Sequence, residues 1–192
     1  SQSRKTSFSE GFLKMNELQE TILKVIIAIF SIDDIHENFD RDGPWKGQKK
    51  IRHGTIRYGL LNYVAKFSLA SESYFVTEKS KRHLINNNFL KNGALRRGDK
   101  GKHGGFTHEH PVPTNMIADL LYEHRKDNWK MREILMKTNQ VTVLTYEEDD
   151  LLTANGFTKS MPPGWNIEDG DIFARYVESG VEVPTEKISV TG

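Results

Sequence analysis

Apolar residues recur at three- and four-residue intervals along much of this chain, and that period restricts it to a helix-rich fold. Phe12, Met15, Leu18, Ile22, Val25, Ile26, Ile29 and Phe30 keep the interval through one stretch, which predicts an amphipathic helix of about 20 residues. Ile56, Leu60, Leu61, Val64 and Phe67 predict a second helix. Thr77 is suited to cap a third over residues 78–86, because its hydroxyl can accept from a first-turn N–H, and Glu78 places a carboxylate at the positive end of the helix dipole. Thr114 or Asn115 opens a fourth, expected to run to about Lys137 with Ile117, Leu120, Leu121, Met131, Ile134 and Leu135 on its buried side. Thr145 and Glu148 form a capping box for a further helix that stops at Asn155-Gly156, and a last short one is expected over residues 171–179.

Strand signals are fewer. Residues 106–112 read as extended and residues 141–144 as a short β-branched strand, while residues 33–54 and the glycine-rich, basic residues 87–105 read as loops. The expected class is therefore α+β: a helix-dominated single domain over residues 8–183, with a short extended segment packed on a long helix. Residues 1–7 and 184–192, polar and without periodicity, read as flexible tails.

Composition narrows the function. A chain of 192 residues can bury an ordinary core, and a net charge of +1 announces no polyanion partner by itself, so local patches decide. The chain has no cysteine, which removes disulfides, cysteine-based zinc knuckles and a thiol nucleophile, and suits a reducing cytoplasm. The longest apolar run, from Val25 to Phe30, is far short of the roughly 20 residues that span a bilayer, so no membrane partner is expected. Asp33, Asp34, Asp40 and Asp42 lack the Gly-then-Glu interval of an EF-hand, and no phosphate loop, dinucleotide fingerprint or nucleophile elbow occurs.

One run concentrates chemistry: Phe106-Thr-His-Glu-His-Pro-Val-Pro-Thr-Asn115, with His124 nine residues on. Imidazole and carboxylate are the ligands that a hard or borderline dication takes, and neutral imidazole is also a general base. Side chains alternate along an extended segment, so His108 and His110 are expected on one side and Glu109 on the other. His124, one turn beyond Leu120 and Leu121, is expected to face inward.

Glu109-His110-Pro-Val-Pro113, then Asn115, then His124 resembles the motif of the HNH (ββα-metal) endonucleases. Carried over, the resemblance implies a divalent metal, Mg²⁺ or Mn²⁺ with Zn²⁺ as a further option, held by Glu109 and His124 with His108 nearby. It implies that His110 activates the attacking water and that Asn115 fixes the turn and orients His110. Glu109 stands where the family more often has Asp, and Asn115 follows His110 where the family usually has a longer hairpin loop.

Beside this run, residues 79–103 hold eight Lys or Arg against one acid, Asp99. Lys79, Arg82, Arg96, Arg97, Lys100 and Lys102 are the expected phosphate contacts, since guanidinium and ammonium groups on a glycine-rich loop suit phosphate oxygens. Trp45 with Lys46, Lys49, Lys50 and Arg52 forms a second basic patch. The expectation is a cytoplasmic, metal-dependent nuclease of bacterial or phage type acting on phosphodiester bonds, with DNA ahead of RNA and a homodimer among the options for assembly. The alternative is a nucleic-acid-binding or regulatory protein that does not cut. An interaction protein acting on another protein is a third.

Overall fold

A computed structural model describes residues 14–32, 39, 56–99 and 104–192. The fold is α+β with helix dominant, in a single domain. Among the described residues, the helices are α1 (Glu17–Phe30), α2 (Ile56–Leu69), α3 (Glu78–Asn86), α4 (Thr114–Glu123), α5 (Asn128–Thr138), α6 (Tyr146–Ala154) and α7 (Ala174–Ser179). The strands are β1 (Ser73–Val76), β2 (Leu90–Lys91), β3 (Ala94–Arg96), β4 (Phe106–Glu109), β5 (Thr142–Thr145) and β6 (Glu186–Thr191). They form one mixed sheet in the order β2-β3-β6-β1-β5-β4.

The caps read from sequence are largely in place. Thr77 accepts from the Ser80 N–H, and Thr145 with Glu148 closes a reciprocal box at α6. Asn16 and Gln19 do the same at α1. The helix expected from residue 114 to about Lys137 is instead two helices. Arg125 donates to the Tyr122 carbonyl at the end of α4, and Asp127 accepts from the Lys130 N–H at the start of α5. The polar run from Glu123 to Asp127 thus carries a stop and a start together. Neither Thr114 nor Asn115 caps α4. Pro113 occupies that position at φ −55 with no side-chain cap, its carbonyl accepting from Met116 and Ile117.

Two further expectations are overturned. Residues 87–105 are not one exposed loop, since β2 and β3 make a hairpin across Asn92-Gly93, with both residues at positive φ (52 and 77). That pair is what a tight two-residue turn of right-handed twist demands. The segment from residue 184 is not a flexible tail either. β6 lies inside the sheet, antiparallel to β1 and parallel to β3, with Ile188 and Val190 buried.

Three apolar clusters hold these elements. α1, α2, α4 and α5 share Ile26, Leu60, Val64, Phe67, Ile117, Leu121 and Met131. One sheet face presents Tyr74, Val76, Leu95, Phe106, Val143, Ile188 and Val190 to Leu84 of α3. Among the described residues, the cover on the other face is at its β5 end, where Leu144 and Phe75 meet Leu152 of α6 and Phe173 and Tyr176 beside and within α7. No described helix is long and apolar enough to cross a membrane. The expected tail over residues 1–7, the acids Asp33, Asp34, Asp40 and Asp42, and the patch around Trp45 lie outside the described residues.

Candidate functional site

β4 pairs antiparallel with β5 in a register that sets Glu109 opposite Thr142 and His108 opposite Val143. Alternation then sends His108 to the α3 side and Glu109 to the α7 side, as expected for these two. Glu109 meets a guanidinium there. Arg175 of α7 is 1% exposed in its side chain and pairs with Glu109 Oε1, while the Tyr176 hydroxyl donates to Oε2 at 2.6 Å. The same guanidinium donates to the carbonyls of His110, of Pro111 (2.8 Å) and of Phe157. One buried side chain thus fastens the turn between β4 and α4 to α7 and to the loop after α6. Burial pushes the Glu109 carboxyl above its ordinary range, with Arg175 and Tyr176 pulling the other way. Burial, followed by the adjacent Glu109, raises the Tyr176 hydroxyl well above its own.

His110 points past the strand end to α2, where Nε2 lies 2.7 Å from Ser68 Oγ. Ser68 Oγ also lies 2.9 Å from the Ala65 carbonyl. With the hydroxyl proton donated to that carbonyl, the imidazole is left to donate to the hydroxyl oxygen through Nε2. Burial, helped by the charge of Arg175 and by His108, lowers His110 from 6.5 to about 4. Between about pH 4 and 6.5 the unfolded chain protonates this histidine and the folded chain does not, so stability is full above that window and falls as pH drops through it. The loss is on the order of 3 kcal/mol, with the raised carboxyl of Glu109 working against it at the acid end. Thermal unfolding followed across pH 4 to 7 should show that slope, and His110→Gln should flatten it. An equal slope in the variant would assign the pH dependence elsewhere.

His108 packs edge-on against Tyr74, ring centroids 5.2 Å apart. His124 does not lie on a continuing stripe but closes the C-terminus of α4, its backbone N–H bonded to the Leu120 carbonyl. At about 1.5 Å of rise per residue, the length of α4 puts it roughly 15 Å along the axis from the end that carries His110. Asn115 donates to the Lys159 carbonyl, and its own carbonyl accepts from Arg57. The structure therefore brings Glu109 and His110 to one turn, with His108 beside them, and sends Asn115 and His124 to other partners.

The residues implied to hold a dication do not fit one in this arrangement. Both Glu109 oxygens are engaged, one by a cation, and a metal there would sit against the Arg175 guanidinium. Among the described residues no group of three or more His, Asp or Glu side chains is placed to hold a metal ion.

The basic residues divide into two sets. Lys79 pairs with Glu147, Lys81 with Glu186 and Arg82 with Glu78, so α3 carries compensated charge. Arg97 turns inward and donates to the Ser71 carbonyl at 3.2 Å. Arg96 is exposed on β3, and Lys100 and Lys102 lie outside the described residues. Register shows what surrounds Arg96. Lys91 lies opposite Ala94, Ala94 opposite Ser189, Arg96 opposite Thr191, Ser73 opposite Ser189 and Phe75 opposite Lys187. Lys91, Arg96, Lys187, Ser189 and Thr191 are all exposed on one face of the sheet. The acid that these four strands carry, Glu186, is on the other face with Lys81. Lys187 Nζ lies 4.2 Å above the Phe75 ring.

Several of these residues were legible. Lys187-Ile-Ser-Val-Thr191 alternates polar and apolar, the period of a half-buried strand, and Leu90-Lys-Asn-Gly-Ala-Leu95 is a hairpin signature. Arg175 and Ser68 carry no such signal; only the folded chain joins them to Glu109 and His110. No family model, curated protein or solved structure matches this chain.

Proposed function

We propose that this protein binds nucleic acid on the open face of its sheet, holding the phosphate backbone without cutting it, in a reducing cytoplasm. The observation that carries the reading is the exposed face over β2, β3, β6 and β1, on which the described strand residues carry no acid and Lys91, Arg96 and Lys187 stand among the hydroxyls of Ser189 and Thr191. Ammonium, guanidinium and hydroxyl groups spread over a surface are what phosphate oxygens take as partners. Lys91 and Arg96 make no ion pair among the described residues, so they are available for it. Cleavage, the other activity implied by the resemblance, would require Glu109 to leave Arg175 and His110 to leave Ser68.

Salt gives the test, because each neutralised phosphate releases condensed counterion. Affinity for a labelled oligonucleotide should fall steeply with salt, and Lys91→Ala with Arg96→Ala should weaken binding and reduce the log–log slope by about 1.4 for a single strand. Lys79→Ala with Arg82→Ala, on the compensated helix, should leave the slope alone. Incubation with Mn²⁺ in the same samples checks the rival. Cleavage that disappears in folded His110→Ala would replace this reading with the nuclease.

A further inference from the structure

Strand register arranges the open face in rows. Lys91, Ala94, Ser189 and Ser73 align across β2, β3, β6 and β1. Arg96 and Thr191 form the row on one side of them, and Lys187 with Phe75 the row on the other. Ala94, Ser189 and Ser73 are short, so the middle row is a low floor between a rim with Arg96 and a rim with Lys187. Phe75 is the aromatic that these four strands place on this face. Its ring is half-buried, and the Phe173 ring meets it edge-on with centroids 5.1 Å apart, which fixes its plane. The Lys187 ammonium that lies over this ring has no carboxylate partner among the described residues, and its hydrogen bond to Gln140 Oε1 is long, 3.3 Å. A cation gains little from a ring at a site that solvent reaches, and a phosphate oxygen is a stronger partner for it.

We infer that the polymer on the face is single-stranded and stacks one base on the Phe75 ring, the Lys187 ammonium moving from the ring to a phosphate of the same strand. The inference rests on the reading of the open face as the backbone site. Stacking replaces a cation–ring contact by a larger ring–ring contact, and the displaced cation gains a charged partner. Every base has a π-face, so this recognition is indifferent to sequence. The low floor of Ala94, Ser189 and Ser73 lets the sugar–phosphate chain cross between the two rims, with Lys91 and Arg96 holding the phosphates beyond it. A duplex turns the faces of its bases onto one another. It offers the cations its phosphates but offers Phe75 no base.

Fluorescence anisotropy of the full chain with labelled oligo(dT) of about ten nucleotides, within the usual span of a single-strand site, and with a duplex of equal length gives the test. Oligo(dT) should bind about tenfold more tightly than the duplex, the size expected of one stacked base. Phe75→Leu, which keeps an apolar side chain against Phe173, should bring oligo(dT) down to the duplex level while its salt slope persists. Phe75→Trp keeps a ring in place and supplies a second readout. Its emission, beyond that of the unaltered chain, should be quenched by saturating oligo(dT) and not by the duplex. Equal affinities for the two polymers in the unaltered chain, with salt dependence intact, would overturn the stacking and leave the face standing. A preference for oligo(dT) that survives Phe75→Leu, or a Phe75→Trp indole that stays unquenched with oligo(dT) bound, would also overturn it. Absence of binding to either polymer would take the face with it.

Discussion

Arg175→Met should lower the thermal midpoint by about 10 °C or more. Glu109 would stay buried with Tyr176 as its one remaining donor, and the carbonyls of Pro111 and Phe157 would lose theirs. Removing one partner from a buried ion pair costs about 3–5 kcal/mol, because the other charge remains desolvated. A domain of this size moves roughly 2–4 °C per kcal/mol. The double variant Glu109→Gln with Arg175→Met should recover part of the loss, since it removes the stranded charge and leaves only orphaned carbonyls. Circular dichroism melts of the three proteins decide it. A shift under about 2 °C for Arg175→Met would show that the guanidinium does not hold the β4–α4 turn as described.

Truncation after Pro184 should leave no cooperatively folded protein. β6 is the partner of both β1 and β3, so its removal cuts the β2–β3 hairpin from the rest of the sheet. Burying Ile188 and Val190 contributes about 1.5–3 kcal/mol each, and the ladder bonds on both sides add roughly 1 kcal/mol apiece. Those sums rival the roughly 5–15 kcal/mol that stabilises an ordinary domain. Ile188→Asp should reproduce the collapse through one side chain, whereas Ser189→Ala, on the exposed face, should shift the melt little. A truncated chain that melts as sharply as the full one would contradict the placement of β6.

These two sites show why the sequence disclosed some of the molecule and hid the rest. Helices announce themselves locally: Thr77 with Ser80, and Thr145 with Glu148, sit within one turn of each other. The period of three to four found α1 and α2 without any tertiary knowledge. β6 had a local signal too, its alternating Lys187-Ile-Ser-Val-Thr, but five residues of period two are short, and the polar half of the pattern resembles an unstructured end. The turn at Glu109 had none. His108, Glu109 and His110 are adjacent in sequence and invite a metal, yet the partners that settle their roles are Ser68, more than a helix earlier, and Arg175 with Tyr176, far downstream. The same holds for charge: Lys79 and Arg82 count as basic in the sequence, and only folding reveals Glu147 and Glu78 beside them.

The most direct test of the account is an amide chemical-shift map of the labelled protein titrated with a single-stranded oligonucleotide at low salt. The largest shifts should fall on Lys91, Arg96, Lys187, Ser189 and Thr191, the exposed positions of β2, β3 and β6. Shifts centred instead on His108, Glu109, His110 and Arg175, with β6 silent, would place the nucleic acid at the β4–α4 turn and contradict the assignment of the open sheet face.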